Sequence, residues 1–149
     1  MRIVIQRVSR ARVTVEGRIV GEISNGVMVL IGIGKSDTSA DAAYLAEKTA
    51  QLRIFNDAAG KMNLSLIEVK GSALVVSQFT LYADVRRGRR PGFDRAAPPA
   101  EASTLYAEYV RCLEGSGVHV ETGVFQAHME VELVNDGPVT ILLDTEKTI

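Results

Sequence analysis

The stretch Val27-Met28-Val29-Leu30-Ile31-Gly32-Ile33 decides the fold, because it is continuously apolar where a half-exposed strand would alternate. Such a run is typical of a strand buried on both faces. Two strand-like segments precede it. Residues 2–8 alternate isoleucine with polar neighbours, a theme that Val13 and Val15 continue, and residues 19–23 follow the turn signal Glu16-Gly17. The sequence therefore predicts a β-rich domain built around residues 27–33.

Two segments have the periodicity of amphipathic helices. The first begins near Thr38, where Thr38-Ser39-Ala40-Asp41 fits a capping box, and its apolar face is formed by Ala42, Leu45, Ala46 and Thr49. The second begins near Ala100, with a stripe of Leu105, Tyr109, Cys112 and Leu113. Further strands are predicted at residues 72–78, 118–121, 129–134 and 139–143, a turn at 56–61 and a long loop at 84–99. Because strands mostly follow one another directly, we predict one α+β domain over residues 1–149, with a largely antiparallel sheet or barrel-like β core and two main helices.

Composition excludes several classes of protein. The net charge is −1 and the sequence pI about 6.1, so no global basic field attracts nucleic acid; any RNA contact is local, and no DNA partner is expected. A single cysteine, Cys112, excludes an internal disulfide and disfavours a thiolate metal site. No signal peptide is evident, and no apolar run reaches the roughly 20 residues of a membrane span. We expect a cytoplasmic protein without membrane association.

Other motifs have ordinary explanations. Gly32-Ile33-Gly34-Lys35-Ser36 follows a strand and precedes a helix, but a phosphate-binding P-loop needs glycine where Val29 stands. His119 and His128, the only histidines, have no metal-ligand partners at helical spacing, which favours polar strand positions. Cys112 lies on the apolar stripe of the second helix, which favours a core position. We therefore expect no metal and no cofactor.

Two polar segments interrupt the apolar pattern. Ser77-Gln78-Phe79-Thr80-Leu81-Tyr82 ends the strand at residues 72–78, and Asn135-Asp136-Gly137-Pro138-Val139-Thr140 separates the last two predicted strands. The Ser77–Tyr82 segment places backbone N–H donors and small polar side chains where the predicted strand ends. The second breaks strand pairing, because proline has no N–H, and leaves carbonyl acceptors free. Together they indicate a site built largely from main-chain groups.

Arginines crowd into the predicted loop at residues 84–99, namely Arg86, Arg87, Arg89, Arg90 and Arg95, offset only by Asp84 and Asp94. Such a run is either a solvated loop or a phosphate-binding patch, since guanidinium groups match phosphate oxygens. The phosphate interpretation is favoured if the loop lies beside an active site.

Both polar segments closely resemble the signature motifs of D-aminoacyl-tRNA deacylases, a likeness that extends from Met1 through Arg90-Pro91-Gly92-Phe93 to Leu143. Only the short tail after Leu143 lies outside it. The resemblance implies a homodimer that hydrolyses the ester joining a D-amino acid to the acceptor end of tRNA, and also glycine mischarged on tRNA-Ala. It implies no cofactor.

The same resemblance implies the roles of individual residues. A cis Gly137-Pro138 peptide reaches into the partner's pocket, where its carbonyls bind the substrate α-ammonium group and exclude L side chains. Phe79 and Ala97 line the pocket, with Ser77 and Gln78 beside the catalytic Thr80. Separately from the resemblance, the position of the arginine loop beside this site predicts that Arg86, Arg87, Arg89 and Arg90 contact tRNA.

Two questions stay open at this point. Thr80 acts either through its hydroxyl as a nucleophile or, as we prefer, through its N–H as an oxyanion donor, with the tRNA 2′-hydroxyl helping to activate water. Phe79 and Leu81 are as consistent with core packing as with substrate contact. The competing functions are a non-catalytic RNA-binding module, which the acidic pI disfavours, and a hydrolase of small esters.

Overall fold

The structure, a computed structural model, describes residues 1–149 and contains eight strands and two α-helices. The strands are β1 (Arg2–Val15), β2 (Arg18–Ile23), β3 (Gly26–Gly32), β4 (Phe55–Asn56), β5 (Met62–Leu64), β6 (Ser72–Ser77), β7 (His119–Thr122) and β8 (Glu130–Asp144). The helices are α1 (Ser39–Gln51) and α2 (Pro99–Gly115), and a 3-10 helix spans Phe79–Tyr82. No helix is both long enough and apolar enough to span a bilayer.

The long strand β1 organises the main sheet. It pairs antiparallel with β2, β3 and β8, and the sheet continues through β6 and β7 in the order β2-β1-β3-β6-β7. The predicted α+β class, barrel-like β core and two helices are confirmed. The β3–β6 and β6–β7 pairs are parallel, which the sequence analysis did not predict. Each parallel pair needs a long crossover, and α1 and α2 occupy these two crossovers.

The apolar run at residues 27–33 is explained by burial on both faces of the sheet. On one face Val27, Val29 and Ile31 of β3 join a large core that includes the buried sides of both helices. On the other face Met28 packs in a smaller cluster with Val8, Val13, Ile23, Leu74 and Val76. Both clusters are formed by alternate residues of the same strands, as the pleat requires.

The helix ends follow the predicted signals closely. The Asp41 carboxylate accepts a 2.8 Å hydrogen bond from the Thr38 N–H, so α1 begins where the capping box places it. Helix α2 begins one residue before the predicted start, with Pro99 at a first-turn position that needs no N–H donor. Cys112 is half-buried and packs against the core, as predicted.

Two local features differ from the prediction. The strands predicted at residues 129–134 and 139–143 are one strand, β8, whose ladder with β1 skips residues 136–139. The turn predicted at 56–61 is present, but it joins two short strands that were not predicted, the β4–β5 hairpin outside the main sheet. The side chain of Arg7, described below, connects the interrupted part of β8 to the β4–β5 hairpin.

Candidate functional site

The end of β6 turns sharply into the 3-10 helix. The Gln78 N–H still donates to the Ile31 carbonyl at 2.8 Å, so the chain leaves the sheet only after this residue. Within the helix, Leu81 donates to the Gln78 carbonyl and Ala83 to the Thr80 carbonyl, at 3.2 and 3.0 Å. The N–H groups of Phe79 and Thr80 have no acceptor, as expected in a first helical turn. Two unpaired donors therefore stand at the exit of β6.

Two glycines allow this helix to pack against β3. A Cβ atom at Gly34 would lie 2.7 Å from Cζ of Tyr82, and one at Gly32 would lie 2.9 Å from the Gln78 carbonyl oxygen. Either Cβ atom would force its neighbour to move. The glycine-tolerant turn predicted for this segment thus has a definite cause, the close approach of the Ser77–Tyr82 segment.

Contacts with Arg2 and Asp37 hold the C-terminal end of the 3-10 helix. Arg2 donates from Nη1 to the Leu81 carbonyl at 3.0 Å and lies over the Tyr82 ring at 4.6 Å. The Tyr82 hydroxyl lies 3.4 Å from Asp37, whose carboxylate also binds the Met1 ammonium group. Burial, with the nearby Asp37 charge, raises the pKa of Tyr82 well above its usual value, so the phenol stays neutral. The last residue of the helix is therefore a neutral phenol held by Arg2 and Asp37.

A cleft of about 650 Å³ opens beside the 3-10 helix. It is lined by four predicted site residues, Ser77, Gln78, Phe79 and Ala97, and by residues that the sequence analysis missed, notably Phe93, Phe125 and Met129. Phe79 is 56% exposed and meets Phe93 edge-to-face, with ring centroids 5.0 Å apart. Core packing therefore does not explain Phe79. The cleft presents apolar rings beside Phe79, whose N–H is unpaired, while Thr80, the next residue, does not itself line the cleft.

Thr80 itself is exposed, and its hydroxyl accepts a hydrogen bond from Nε2 of Gln78. No histidine or carboxylate contacts this hydroxyl. His119 is exposed and lies 3.0 Å from Glu121, and neither His119 nor His128 lines the cleft. No cluster of three or more His, Cys, Asp or Glu side chains is arranged to hold a metal ion. The side chains around Thr80 thus supply no general base for its hydroxyl.

The Asn135–Thr140 segment forms an outward loop in β8. Asn135 closes it, since its Oδ1 accepts from the Val139 N–H at 2.7 Å and its Nδ2 donates to the Val139 carbonyl at 3.2 Å. Gly137 and Pro138 are exposed at its tip, and the peptide bond between them is cis. Their carbonyls have neither a ladder partner in β1 nor a side-chain donor, and neither residue lines the cleft of its own chain.

Arg7 supports this loop and was missed by the sequence analysis. The residue is 7% exposed, and its Nε donates to the Asp136 carbonyl at 2.7 Å. Nη1 donates to the Ile54 carbonyl at 2.8 Å and to Oδ1 of Asn56 at 3.3 Å. A signal was present: Ile3 and Ile5 mark the inward-facing positions of β1, and Arg7 is the next position in that row. A charged residue there indicates a buried hydrogen-bonding role.

The arginine-rich loop is an exposed excursion between Asp84 and Gly92, whose backbones exchange two hydrogen bonds of 2.8 and 2.9 Å. Arg86 forms a two-point pair with Asp84 within the loop, which holds the pKa of that carboxyl far below its usual value. Arg95 pairs with Glu146. No carboxylate lies within ion-pair distance of the other three, Arg87, Arg89 and Arg90. The loop continues directly to Phe93 in the cleft, so free cations lie next to the candidate site.

Comparison with known proteins now identifies the family. The family model described as D-Tyr-tRNA(Tyr) deacylase matches residues 4–144. The chain belongs to the D-Tyr-tRNA(Tyr) deacylase family. It is 64% identical to a protein of Symbiobacterium thermophilum named D-aminoacyl-tRNA deacylase, over 99% of this chain and 98% of that one. It is 58% identical to a Fervidobacterium nodosum protein of the same name, over 99% of both chains. The predicted family is therefore confirmed.

Two solved structures share the fold of this deacylase-family chain. One, titled c-Myc DNA Unwinding Element Binding Protein, is 38% identical, covers 97% of this chain and 99% of that one, and superposes with a TM-score of 0.91. The other is titled as a probable eukaryotic D-amino acid tRNA deacylase; it is 18% identical, covers 95% and 97%, and has a TM-score of 0.85. At that identity the second likeness shows the fold alone.

Proposed function

We propose that this protein hydrolyses the ester bond of D-aminoacyl-tRNA in the cytoplasm, releasing a free D-amino acid and tRNA. The observation that carries the proposal is the family match over residues 4–144, together with full-length relatives named D-aminoacyl-tRNA deacylase. The arrangement of the site supports it. Unpaired N–H donors adjoin an apolar cleft, and free cations adjoin that cleft on the loop side.

The cleft is the proposed site of the aminoacylated terminal adenosine. Its volume of about 650 Å³ lies within the usual range of small-molecule sites, and its lining is mostly apolar. The adenosine contacts the exposed ring of Phe79, with Ser77, Gln78 and Ala97 shaping the pocket. The ester carbonyl then lies near the N–H of Thr80.

In the proposed chemistry water adds to the ester carbonyl and the tRNA hydroxyl leaves. The Thr80 N–H stabilises the oxyanion, an effect worth about 2.7–4 kcal/mol for one donor. The neighbouring 2′-hydroxyl of the substrate helps to activate the water, since no side chain around Thr80 offers a base. The alternative, attack by the Thr80 hydroxyl, is disfavoured because that group contacts only the amide of Gln78.

Chiral selection is assigned to the carbonyls of Gly137 and Pro138. They are exposed and unpaired, so they are able to accept hydrogen bonds from the substrate α-ammonium group. With ester and amine both held, an L side chain clashes with this loop, whereas a D side chain or the hydrogen of glycine points away. Glycine mischarged on tRNA-Ala is therefore also a proposed substrate.

The loop is proposed to act in the partner subunit of a homodimer. Support comes from its position, because Gly137 and Pro138 do not line the cleft of their own chain. Complementation tests this: Gly137→Leu and Ala97→Trp, each inactive as a homodimer, are mixed. A heterodimer carries both lesions in one composite site and leaves the other site intact, so each heterodimer should have about half of the activity of a wild-type dimer. Mixed dimers without activity would contradict the cross-subunit arrangement.

The arginine loop is proposed to bind the phosphates of the acceptor stem. Arg87, Arg89 and Arg90 are free to do so, whereas Arg86, the fourth arginine expected to bind tRNA, is engaged by Asp84. The loop also distinguishes the proposed substrate from a small ester. The test compares D-tyrosyl-tRNA with D-tyrosine methyl ester: we expect hydrolysis of the tRNA ester at much higher kcat/KM, and comparable values would instead indicate a general esterase.

DNA binding is the competing candidate, because the 38% identical structure is titled as a DNA unwinding element binding protein. The exposed arginine loop is compatible with any phosphate backbone. Competition separates the two functions. Under the deacylase proposal, uncharged tRNA inhibits deacylation at lower concentration than a DNA duplex of equal charge; the reverse order would favour DNA.

A further inference from the structure

The β4–β5 hairpin and the Gly137-Pro138 loop are joined by a single side chain. Arg7 donates to the Ile54 carbonyl and to Oδ1 of Asn56 from one nitrogen, Nη1, and to the Asp136 carbonyl from another, Nε. A planar guanidinium directs its donors along fixed lines. A contact that orients the hairpin side of the Arg7 guanidinium therefore also orients the side that faces the Gly137-Pro138 loop.

We infer that Asn56 is a positioning residue for chiral selection, because it fixes the plane of the Arg7 guanidinium and hence the carbonyls of Gly137 and Pro138. This inference rests on the proposed function, in which those carbonyls receive the substrate α-ammonium group. Without Asn56 the guanidinium keeps two contacts, Nη1 with the Ile54 carbonyl at 2.8 Å and Nε with the Asp136 carbonyl at 2.7 Å, and the second of these belongs to the loop itself. Oδ1 of Asn56, 3.3 Å from Nη1, adds a second contact on the hairpin side, so that side holds the guanidinium by two acceptors and not by one.

The loop needs such external support. The ladder with β1 skips residues 136–139, and Gly137 has a φ of +151°, a conformation that other residues rarely adopt. Arg7 lies directly against this backbone: a Cβ atom at Gly137 would be 3.2 Å from Nη2. A rotation of the guanidinium therefore changes the position of the carbonyls.

The hairpin is a rigid base for Asn56. Phe55 is buried in the main core. On the outer side the Asp57 carboxylate accepts from Nδ2 of Asn63 at 2.8 Å and from the N–H groups of Ala59 and Lys61 at 2.9 and 3.0 Å. The hydrogen bond from Asn63, followed by the backbone bonds, lowers the pKa of Asp57, so the carboxylate is ionised at neutral pH. The backbone that carries Asn56 is thus fixed on both sides.

Asn56 has no other evident task. Its side chain makes no hydrogen bond except the one from Arg7, and the residue is exposed. An exposed side chain of this kind contributes little to a core. Its contact with a buried arginine is therefore best explained by orientation of that arginine.

The experiment compares three changes at Asn56 with a control in the same hairpin. Asn56→Leu and Asn56→Ala remove the acceptor, and Asn56→Asp keeps it. Met62→Leu alters the residue that pairs with Asn56 across the hairpin, and Met62 forms no hydrogen bond with Arg7. Two quantities are measured: the ratio of kcat/KM for L-tyrosyl-tRNA to that for D-tyrosyl-tRNA, and the hydrogen-exchange rate of the Arg7 Nε–H by NMR.

We expect Asn56→Leu and Asn56→Ala to raise the L-to-D ratio of kcat/KM by about 10-fold, which is within the roughly 100-fold effect that misplacement by about 1 Å can have on a reaction rate. The hydrogen-exchange rate of the Arg7 Nε–H should rise by a similar factor in both variants. Asn56→Asp and Met62→Leu should stay near wild type in both. Asn56→Ala adds no apolar surface, so it keeps the test decisive if Asn56→Leu fails to fold.

Failure of this inference is distinguishable from failure of the proposed function. If wild type discriminates D from L and both acceptor-deleting variants leave the ratio and the Arg7 exchange unchanged, the role of Asn56 is wrong and the proposed function stands. If wild type shows no discrimination, the proposed function fails. In that case the hydrogen-exchange rate of the Arg7 Nε–H is the remaining test of whether Asn56 orients the guanidinium. An unchanged exchange rate in both acceptor-deleting variants would overturn that statement as well.

Discussion

Arg7 Nε lies 2.7 Å from the carbonyl oxygen of Asp136 and donates a hydrogen bond to it. Through this contact the N-terminal strand holds the loop that carries Gly137 and Pro138. The same guanidinium also satisfies the carbonyl of Ile54. One buried cation thus substitutes for the strand pairing that β8 loses over residues 136–139.

We first predict that Arg7→Met lowers the free energy of unfolding by about 2–4 kcal/mol, because the carbonyls of Ile54 and Asp136 lose their donor. The measurement is urea denaturation at fixed protein concentration. Arg12→Met is the matched control, since Arg12 lies in the same strand and forms an exposed pair with Glu132. Its loss should cost less than about 1 kcal/mol. Equal effects of the two changes would show that Arg7 is not a structural support.

Gly34→Ala should destabilise the protein by about 1–3 kcal/mol, the usual cost of overpacking, because the new Cβ atom meets the Tyr82 ring at 2.7 Å. It should also reduce deacylation by displacing the Ser77–Tyr82 segment. Gly115→Ala provides the comparison: a Cβ atom there meets nothing within 4 Å. This second change should be neutral or slightly stabilising in thermal unfolding. An undisturbed Gly34→Ala protein would contradict the packing role assigned to Gly34.

Thr80→Ala should keep deacylation within about 10-fold of wild type, because the N–H of residue 80 remains, whereas deletion of an oxyanion donor costs about 10²–10³-fold. Replacement of Thr80 by its α-hydroxy acid analogue converts that N–H to an oxygen and should show the larger loss. Single-turnover rates at saturating enzyme measure both. Complete inactivity of a folded, substrate-binding Thr80→Ala protein would favour a hydroxyl nucleophile instead.

Arg87→Gln, Arg89→Gln and Arg90→Gln should each weaken tRNA binding and reduce the slope of log K against log salt by about 0.7–0.9, the value for one lost phosphate contact. Arg86→Gln should leave that slope nearly unchanged, since Arg86 already pairs with Asp84. Binding titrations with uncharged tRNA at several salt concentrations provide the measurement. A larger change for Arg86 than for the other three would reverse the assignment.

Much of this fold follows from sequence pattern. The apolar run at residues 27–33 predicts a doubly buried strand, and Thr38 with Asp41 predicts the start of α1; both are confirmed. The parallel pairing of β3 with β6 was missed because strand order depends on how the crossover helices pack, which periodicity does not encode. The single strand β8 was read as two because its ladder is interrupted while the strand itself continues.

The candidate site was only partly predictable for a similar reason. Ser77, Gln78, Phe79 and Ala97, which the sequence analysis singled out, line one cleft. Phe125 and Met129 were missed because each lies in a segment without a motif and reaches the cleft only through tertiary packing, and Phe93, although part of the matched Arg90–Phe93 segment, was given no role there. Only Arg7 could have been recognised from the local sequence, because it is a charged residue at one of the alternate positions of β1 that face the protein interior. The contact of Arg7 with Asn56 has no sequence signature at all.

The central claim is that a main-chain site selects substrate by chirality. The most direct measurement is the single-turnover deacylation rate of wild-type protein on matched D-tyrosyl-tRNA and L-tyrosyl-tRNA, with glycyl-tRNA-Ala alongside. We predict that the D ester and the glycyl ester are hydrolysed at least about 100-fold faster than the L ester, the order of effect expected when a substrate cannot reach its reactive position. Comparable rates on the D and L esters would contradict the claim.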